Sequence, residues 1–299
     1  MSIRQSGADE TLGVTVSVVI VTRGRPQHLA VSLASYAELA PDTPPFEVIV
    51  VLDGENAESR AVASSPYPFP MRILSQPAAG IGAAKNLGVT AAKGGLVLFL
   101  NDDTRPDPSC LRVHAGAQRR FGPNIVVGRV EWDPDQEVTP YMAWLAPAGH
   151  QFNFARLRSE ALIPWDACWG AHLAAPRAWL LEEPFDPSLG SVLEDGEWAY
   201  RQTLRGRPLR YLSGACAFHH HHIGGPREHA LLPRTAGATA RRVVAHHPRL
   251  AFKLLVRPVI AAVAATALAA WPGRWRRTTA WDLAYRWRYV AGIFVPPPR

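Results

Sequence analysis

Residues 96–107 read LVLFLNDDTRPD. Leu96 to Leu100 are apolar without alternation and run directly into Asn101, Asp102 and Asp103. An unbroken apolar run of this length describes a strand covered on both faces, as in a parallel α/β sheet. Two adjacent carboxylates at the mouth of such a strand repel each other. The arrangement becomes favourable when a cation or polar ligand lies between them. The same pair also fits a capped turn, because Asp favours turns.

The flanking segments repeat the pattern. Val14–Thr22 (VTVSVVIVT), Phe46–Leu52 (FEVIVVL), Met71–Ser75 and Ile125–Val130 read as strands. Pro26–Ala40, Gly82–Ala92 and Ser109–Arg120 read as helices, the first with Pro in its opening turn. Strands alternating with helices predict an α/β, Rossmann-like fold with a mainly parallel sheet and helices on both faces. Ligands of such sheets bind outside the carboxyl ends of the strands. Thr22-Arg23, Asp53 and Asn101-Asp102-Asp103 all lie at such ends. In the second half, residues 131–169 are rich in Trp, Pro and Phe and read as loops over the sheet edge. AAPRAWLL (174–181) and LEDGEWAYRQTLRG (193–206) read as helices, and PLRYLSGACAFHHHH (208–222) as a strand entering four histidines.

The 299 residues are 47% hydrophobic, enough to bury a core. Cys110, Cys168 and Cys216 are too widely spaced for a disulfide framework or a zinc pattern, which points to a reducing compartment. Residues 1–12 are polar, show no signal-peptide core and read as a flexible lead-in. The net charge of +7 is uneven, since residues 241–299 hold 11 Lys or Arg and one acid. The basic excess therefore belongs to the C-terminal tail, and no nucleic-acid partner is expected.

Gly80, Gly82 and Asn86 in AAGIGAAKNLG form a Gly-rich turn before a helix, a place where backbone N–H groups can meet phosphate. The third Gly of a dinucleotide fingerprint is missing. A plain helix start fits equally well. Arg23 and Arg25 in TRGRP, and Lys85, are either diphosphate contacts or ordinary basic residues.

In order along the chain, VSVVIVTRGRPQHL, FEVIVVLDGEN, AAGIGAAKNLG, LVLFLNDDTRPDP, GAHLAAPRAW, FDPSLGSVLEDGEWAYRQTLRG and GACAFHHHH resemble the family 2 glycosyltransferases of the GT-A fold. The resemblance covers roughly residues 14–222. It implies inverting transfer of a sugar from a nucleotide diphosphate donor to a glycan or lipid-linked acceptor, with Mn2+ or Mg2+. It implies that Asp53 holds the base, Asp102 faces the ribose and Asp103 ligates the metal, with Asn101 replacing the first acid of the family's D-x-D element. His219, and next His221, match further metal ligands, and alternate strand residues share a face. Asp195 matches the catalytic base, with Glu194 orienting it or touching the acceptor. Without the resemblance, Glu194-Asp195 reads as a charged first helical turn. Trp169, Gly170 and His172 match the region lining the donor-sugar and acceptor pocket, although Trp169 also suits a core. Thr22, Arg23, Gly82, Lys85 and Asn86 complete the expected donor site.

The expected organisation is a catalytic domain at 13–225, with a nucleotide-sugar half (13–130) and an acceptor half (131–225), then a basic aromatic helical tail at 226–299. Residues 258–273 are uncharged but shorter than a spanning helix needs. Leu283, Trp287, Val290 and Phe294 fall on one helical stripe among arginines. This pattern suits either a helix on an anionic membrane surface or a packed subdomain. The former places the protein in the cytoplasm, peripheral at the inner face of the cell membrane. Two other classes use a similar sheet: a sugar-phosphate nucleotidyltransferase and a non-catalytic nucleotide-sugar-binding protein.

Overall fold

The computed structural model describes residues 16–190, 192–270 and 277–295. The lead-in, Val14 and Thr15, Trp271, Pro272 and Trp275 lie outside them. The strands are β1 (Val16–Thr22), β2 (Phe46–Asp53), β3 (Met71–Gln76), β4 (Leu96–Leu100), β5 (Thr104–Pro106), β6 (Ile125–Trp132), β7 (His172–Pro176) and β8 (Leu209–His219). The helices are α1 (Pro26–Ser35), α2 (Ala57–Ala63), α3 (Ile81–Ala91), α4 (Cys110–Phe121), α5 (Pro140–Leu145), α6 (Arg177–Glu182), α7 (Glu194–Leu204), α8 (Leu231–His246), α9 (Arg257–Ala269) and α10 (Arg277–Phe294).

The strands form one eight-stranded sheet in the order β3-β2-β1-β4-β7-β6-β8-β5. β3, β2, β1 and β4 are parallel, β7 runs antiparallel to β4 and β6, and β6 and β8 are parallel. Alternation within β4 divides the core. Val97 and Phe99 join one buried cluster with Val19, Ile49 and Leu173, while Leu96, Leu98 and Leu100 join another with Ile20, Val50 and Leu29. Each face of β4 is therefore covered, as its unbroken apolar run predicts.

The main departure from the sequence reading is β7. Residues 174–181 do not form one helix, because His172–Pro176 is an inner strand and only Arg177–Glu182 is helical. Ala is a strong helix former, and pairing with β4 and β6 overrides that local preference. The reach of α1 is also shorter, ending at Ser35 before a 3-10 turn.

The described residues of the C-terminal segment fold onto the rest of the chain. A Cβ on Gly237 would overlap the Tyr289 carbonyl, and one on Gly292 the Arg234 carbonyl, so α8 and α10 cross at backbone contact. Trp281 packs with Tyr141 and Met142, and His150 Nε2 meets Asp282 Oδ1 at 2.7 Å. The expected single outward stripe on α10 is therefore divided. Val290 is buried, while Trp287 and Phe294 are exposed. The exposed apolar face belongs instead to the preceding helical run. That run extends over Pro248–Ala269, beginning ten residues before the uncharged stretch, and is long and apolar enough to cross a membrane by length and composition.

Candidate active site

Arg25, at the start of α1, meets the acidic turn that follows β4. Its Nε donates to Asp102 Oδ2 at 3.1 Å, its Nη2 to Asp102 Oδ1, and its Nη1 to Asp103 Oδ2 at 2.7 Å. Asp102 and Asp103 are both buried. Burial and the neighbouring Asp103 charge push the Asp102 carboxyl up to about 6. Burial also opposes ionisation of Asp103, but His219, Arg25 and His221 overcome it and draw that carboxyl down to about 2. Arg25 thus holds both Asp102 oxygens. Asn101 closes the turn by accepting the Thr104 N–H through its carbonyl at 3.1 Å.

The short β5–β8 ladder brings the histidine run to this turn. Thr104 pairs with His219, and the His220 N–H donates to the Asp103 carbonyl at 3.0 Å. His219 Nε2 lies 3.6 Å from Asp103 Oδ1 and His221 Nδ1 lies 3.8 Å from Asp103 Oδ2. Ligating atoms of the three residues all fall within 4.8 Å of one another. These separations are too long for hydrogen bonds but span the distance between two ligands of one ion. His219 is buried, and its Nδ1 has no hydrogen-bond partner. One carboxylate and two imidazoles offer a mixed oxygen and nitrogen set, which suits Mn2+ better than the oxygen-preferring Mg2+.

A second cluster forms where α7 begins. Asp195 accepts the Gly196 N–H at 2.7 Å through Oδ1 and the Gly170 N–H through Oδ2. Glu194 is buried and paired with the buried Lys85, Nζ to Oε1 2.9 Å. Burial opposes the charge on Lys85, yet Glu194 and Asp195 raise its pKa above the ordinary lysine value. Burial and the Glu194 charge push Asp195 up to about 6, against the pull of Lys85 and the two N–H groups. Gly170 has no alternative here, since a Cβ would lie 2.6 Å from Lys85 Nζ and 2.9 Å from Asp195 Cβ.

The remaining expected residues divide. Asp53, at the end of β2, accepts from the Gln76 amide at 2.9 Å and from the N–H groups of Ala79 and Gly80 at 2.8 and 3.1 Å. It thereby fixes the Gly-rich turn before α3. Thr22 is buried at the end of β1, and Arg23 is exposed beside it. Trp169 is half-buried against Phe152. Three of the expected donor residues are engaged with protein partners. Lys85 is committed to Glu194. Asn86 uses both ends of its amide on the Phe185 backbone, at 2.8 and 2.9 Å, and Gly82 packs against the adjoining Asp186 carbonyl.

His172 is likewise a core residue and does not line the pocket. Its Nδ1–H donates to the Arg129 carbonyl at 3.0 Å, which leaves Nε2 to accept from His114 Nε2–H at 2.8 Å, with the Cys110 thiol 3.4 Å away. Burial lowers both imidazole pKa values, so the network is neutral. Sequence reasoning missed it, although Cys110 and His114 lie at i and i+4 on one helix face. It also missed Arg25 as the clamp on the acidic pair.

An acidic turn and a histidine run converge at the carboxyl ends of the strands, the arrangement that the glycosyltransferase resemblance implies. The family model for glycosyl transferase family 2 matches residues 17–176, and the chain belongs to that family. Its fold is similar to that of the mannosyltransferase PcManGT from Pyrobaculum calidifontis in complex with GDP-Man and Mn2+. There the TM-score is 0.67 at 15% identity, covering 95% of this chain and 87% of that one. It is also similar to S. aureus TarS 1-349, with TM-score 0.55, 16% identity and coverage of 93% and 89%. A third similar structure is GalNAc-T7 with UDP, GalNAc and Mn2+, with TM-score 0.57, 16% identity and coverage of 79% and 48%. No curated protein matches the sequence. Family membership decides for glycosyl transfer over nucleotidyl transfer or binding alone.

Proposed function

We propose that the chain is an inverting, metal-dependent glycosyltransferase that moves a sugar from a nucleotide diphosphate donor to an acceptor hydroxyl at a membrane surface. The observation that carries this reading is the convergence of Asp103, His219 and His221 within 4.8 Å. These three residues would hold Mn2+ or Mg2+. The neighbours bound to Mn2+, with GDP-Man in one and UDP in another, support that choice of ion and donor class. When bound, the ion neutralises the charge that builds on the departing diphosphate.

The protein's own residues do the rest. Asp53 and the turn it fixes form the base end of the donor site, within the 13–130 half. Arg25 keeps Asp102 ionised and oriented. Asp195, in the acceptor half, takes the acceptor proton as that oxygen bonds to the anomeric carbon. The bond from that carbon to the diphosphate breaks, and its electron pair leaves with the diphosphate. Glu194 and Lys85 lie behind Asp195 and fix its place. Exposed Phe252, Val256, Ile260 and Val263, together with the basic tail, suit an anionic membrane surface. A position at the cytoplasmic face of the membrane fits this reading.

Calorimetry of UDP and GDP with Mn2+ tests the donor site. Binding that requires Mn2+ and disappears in Asp103→Ala is expected. Equal affinity in the folded variant would refute the metal assignment.

A further inference from the structure

A cavity of ≈ 430 Å³ lies between the catalytic domain and the C-terminal helices. One part of it is lined by Trp169 and Leu193, the chain neighbours of Gly170, whose N–H bonds Asp195, and of Glu194. Ala236 of α8 and Tyr289 of α10 line its sides. Leu254 and Arg257, from the helical run that leads through α9, line its outer end.

The charges around this cavity are mostly satisfied internally. Lys253 pairs with Asp166 at 2.8 Å, and Arg286 with Asp282 at 2.7 Å. Arg257 is different, since it is exposed and has no ion pair or hydrogen bond among the described residues. The cavity thus offers one uncommitted guanidinium beside apolar and aromatic side chains such as Leu254 and Tyr289, while its Lys253, Asp166 and Arg286 are paired within the protein.

The outer end continues onto an apolar surface. Phe252, Val256, Ile260 and Val263 follow at i, i+4, i+8 and i+11, with exposures of 64%, 45%, 57% and 54%. That spacing makes one helical stripe beside the face that lines the cavity. A stripe of this kind is stable in contact with lipid, so the cavity mouth faces the bilayer when the helix rests on it.

We propose that this cavity is the acceptor subsite, and that its occupant is a membrane-held amphiphile with a hydroxyl-bearing head, a phosphate and a single apolar chain. The head reaches inward past Trp169 to Asp195. The phosphate pairs with Arg257, whose guanidinium matches phosphate geometry. The chain leaves along the exposed stripe into the lipid. This inference rests on the glycosyltransferase reading above and names the acceptor class for it.

The test is calorimetry of the full chain with decyl phosphate, decyl maltoside and inorganic phosphate, each below its micelle concentration where it has one. Decyl phosphate is expected to bind about tenfold or more tighter than either control, reflecting a charge-assisted contact added to apolar burial. Arg257→Gln should reduce it to the level of decyl maltoside. Leu232→Glu, on the partly exposed wall of the cavity, should abolish binding of both chains. Mn2+-dependent UDP or GDP binding is read in the same samples, and its absence would overturn the donor reading. Decyl phosphate affinity unchanged in both variants would overturn the acceptor subsite. So would a dimer of the unmodified chain that Leu232→Glu dissociates, since the cavity would then belong to a second copy.

Discussion

Replacing Asp195 by Asn removes the proposed base with almost no change of shape. Both Asp195 oxygens accept backbone N–H groups, from Gly196 at 2.7 Å and from Gly170. An Asn has one acceptor oxygen, so its amide NH2 must face one of these N–H groups. An unsatisfied donor there costs about 1–3 kcal/mol. Loss of the repulsion from Glu194 offsets part of that, leaving a net change of roughly 2 kcal/mol or less. The melting temperature should then shift by only a few degrees, while turnover falls by at least ~10². The pH dependence is independent of both. With its carboxyl pushed up to about 6, Asp195 is protonated below that pH. Turnover should lose about tenfold per pH unit on the acid side. Stability should move the other way. Between the ordinary 3.8 and about 6 the folded chain binds the extra proton, so this group's contribution falls as pH rises through that window. Initial rates from pH 4.5 to 8, with thermal melts at each pH, measure all three effects. An Asp195→Asn variant within threefold of normal turnover would refute the assignment.

Other expectations follow from the same geometry. His219→Ala should weaken Mn2+-dependent nucleotide binding less than Asp103→Ala, because water can replace a neutral ligand; titration of Mn2+ at fixed UDP reads the difference. Gly170→Ala forces its methyl against Lys85 Nζ at 2.6 Å and Asp195 Cβ at 2.9 Å, so kcat should fall on the order of 10² with donor affinity kept. Val256→Glu with Ile260→Glu should release the protein from anionic vesicles in sedimentation, leaving nucleotide affinity unchanged; continued pelleting would show that another surface binds lipid. High salt should weaken wild-type vesicle binding without abolishing it, because the apolar stripe is insensitive to screening.

The parts legible in the sequence are those in which local pattern and tertiary role agree. β1, β2 and β4 are apolar runs because both faces are covered, so their composition is also their position. His219 and His221 are legible as a pair because alternate residues of an extended chain share a face, although β8 itself ends at His219. β7 is not legible, since HLAAP carries no strand signal and its place depends on partners at β4 and β6. Lys85 shows the same limit. A lysine in a Gly-rich turn suggests phosphate, and only the fold brings it to Glu194 across 109 residues of sequence. On α10 the pattern shows the helix and its stripe, but the inward turn of Val290 depends on the glycine crossing with α8.

The charge at the acidic turn bears on why Asn101 stands where the family pattern has a third acid. Asp102 and Asp103 together carry two negative charges in a buried site, and Arg25 supplies one positive charge to both. The remaining single charge is concentrated on Asp103, whose Oδ1 faces His219 rather than Arg25. A third carboxylate at position 101 would add a charge that Arg25, already bonded to both neighbours, has no free fork to meet. With Asn101 the turn stays at one net negative charge, enough to attract a divalent cation and to become net positive once it is bound. A net positive turn attracts a diphosphate that the bare turn would repel. Ion and nucleotide should therefore strengthen each other's binding, and by linkage the effect on each affinity must be equal.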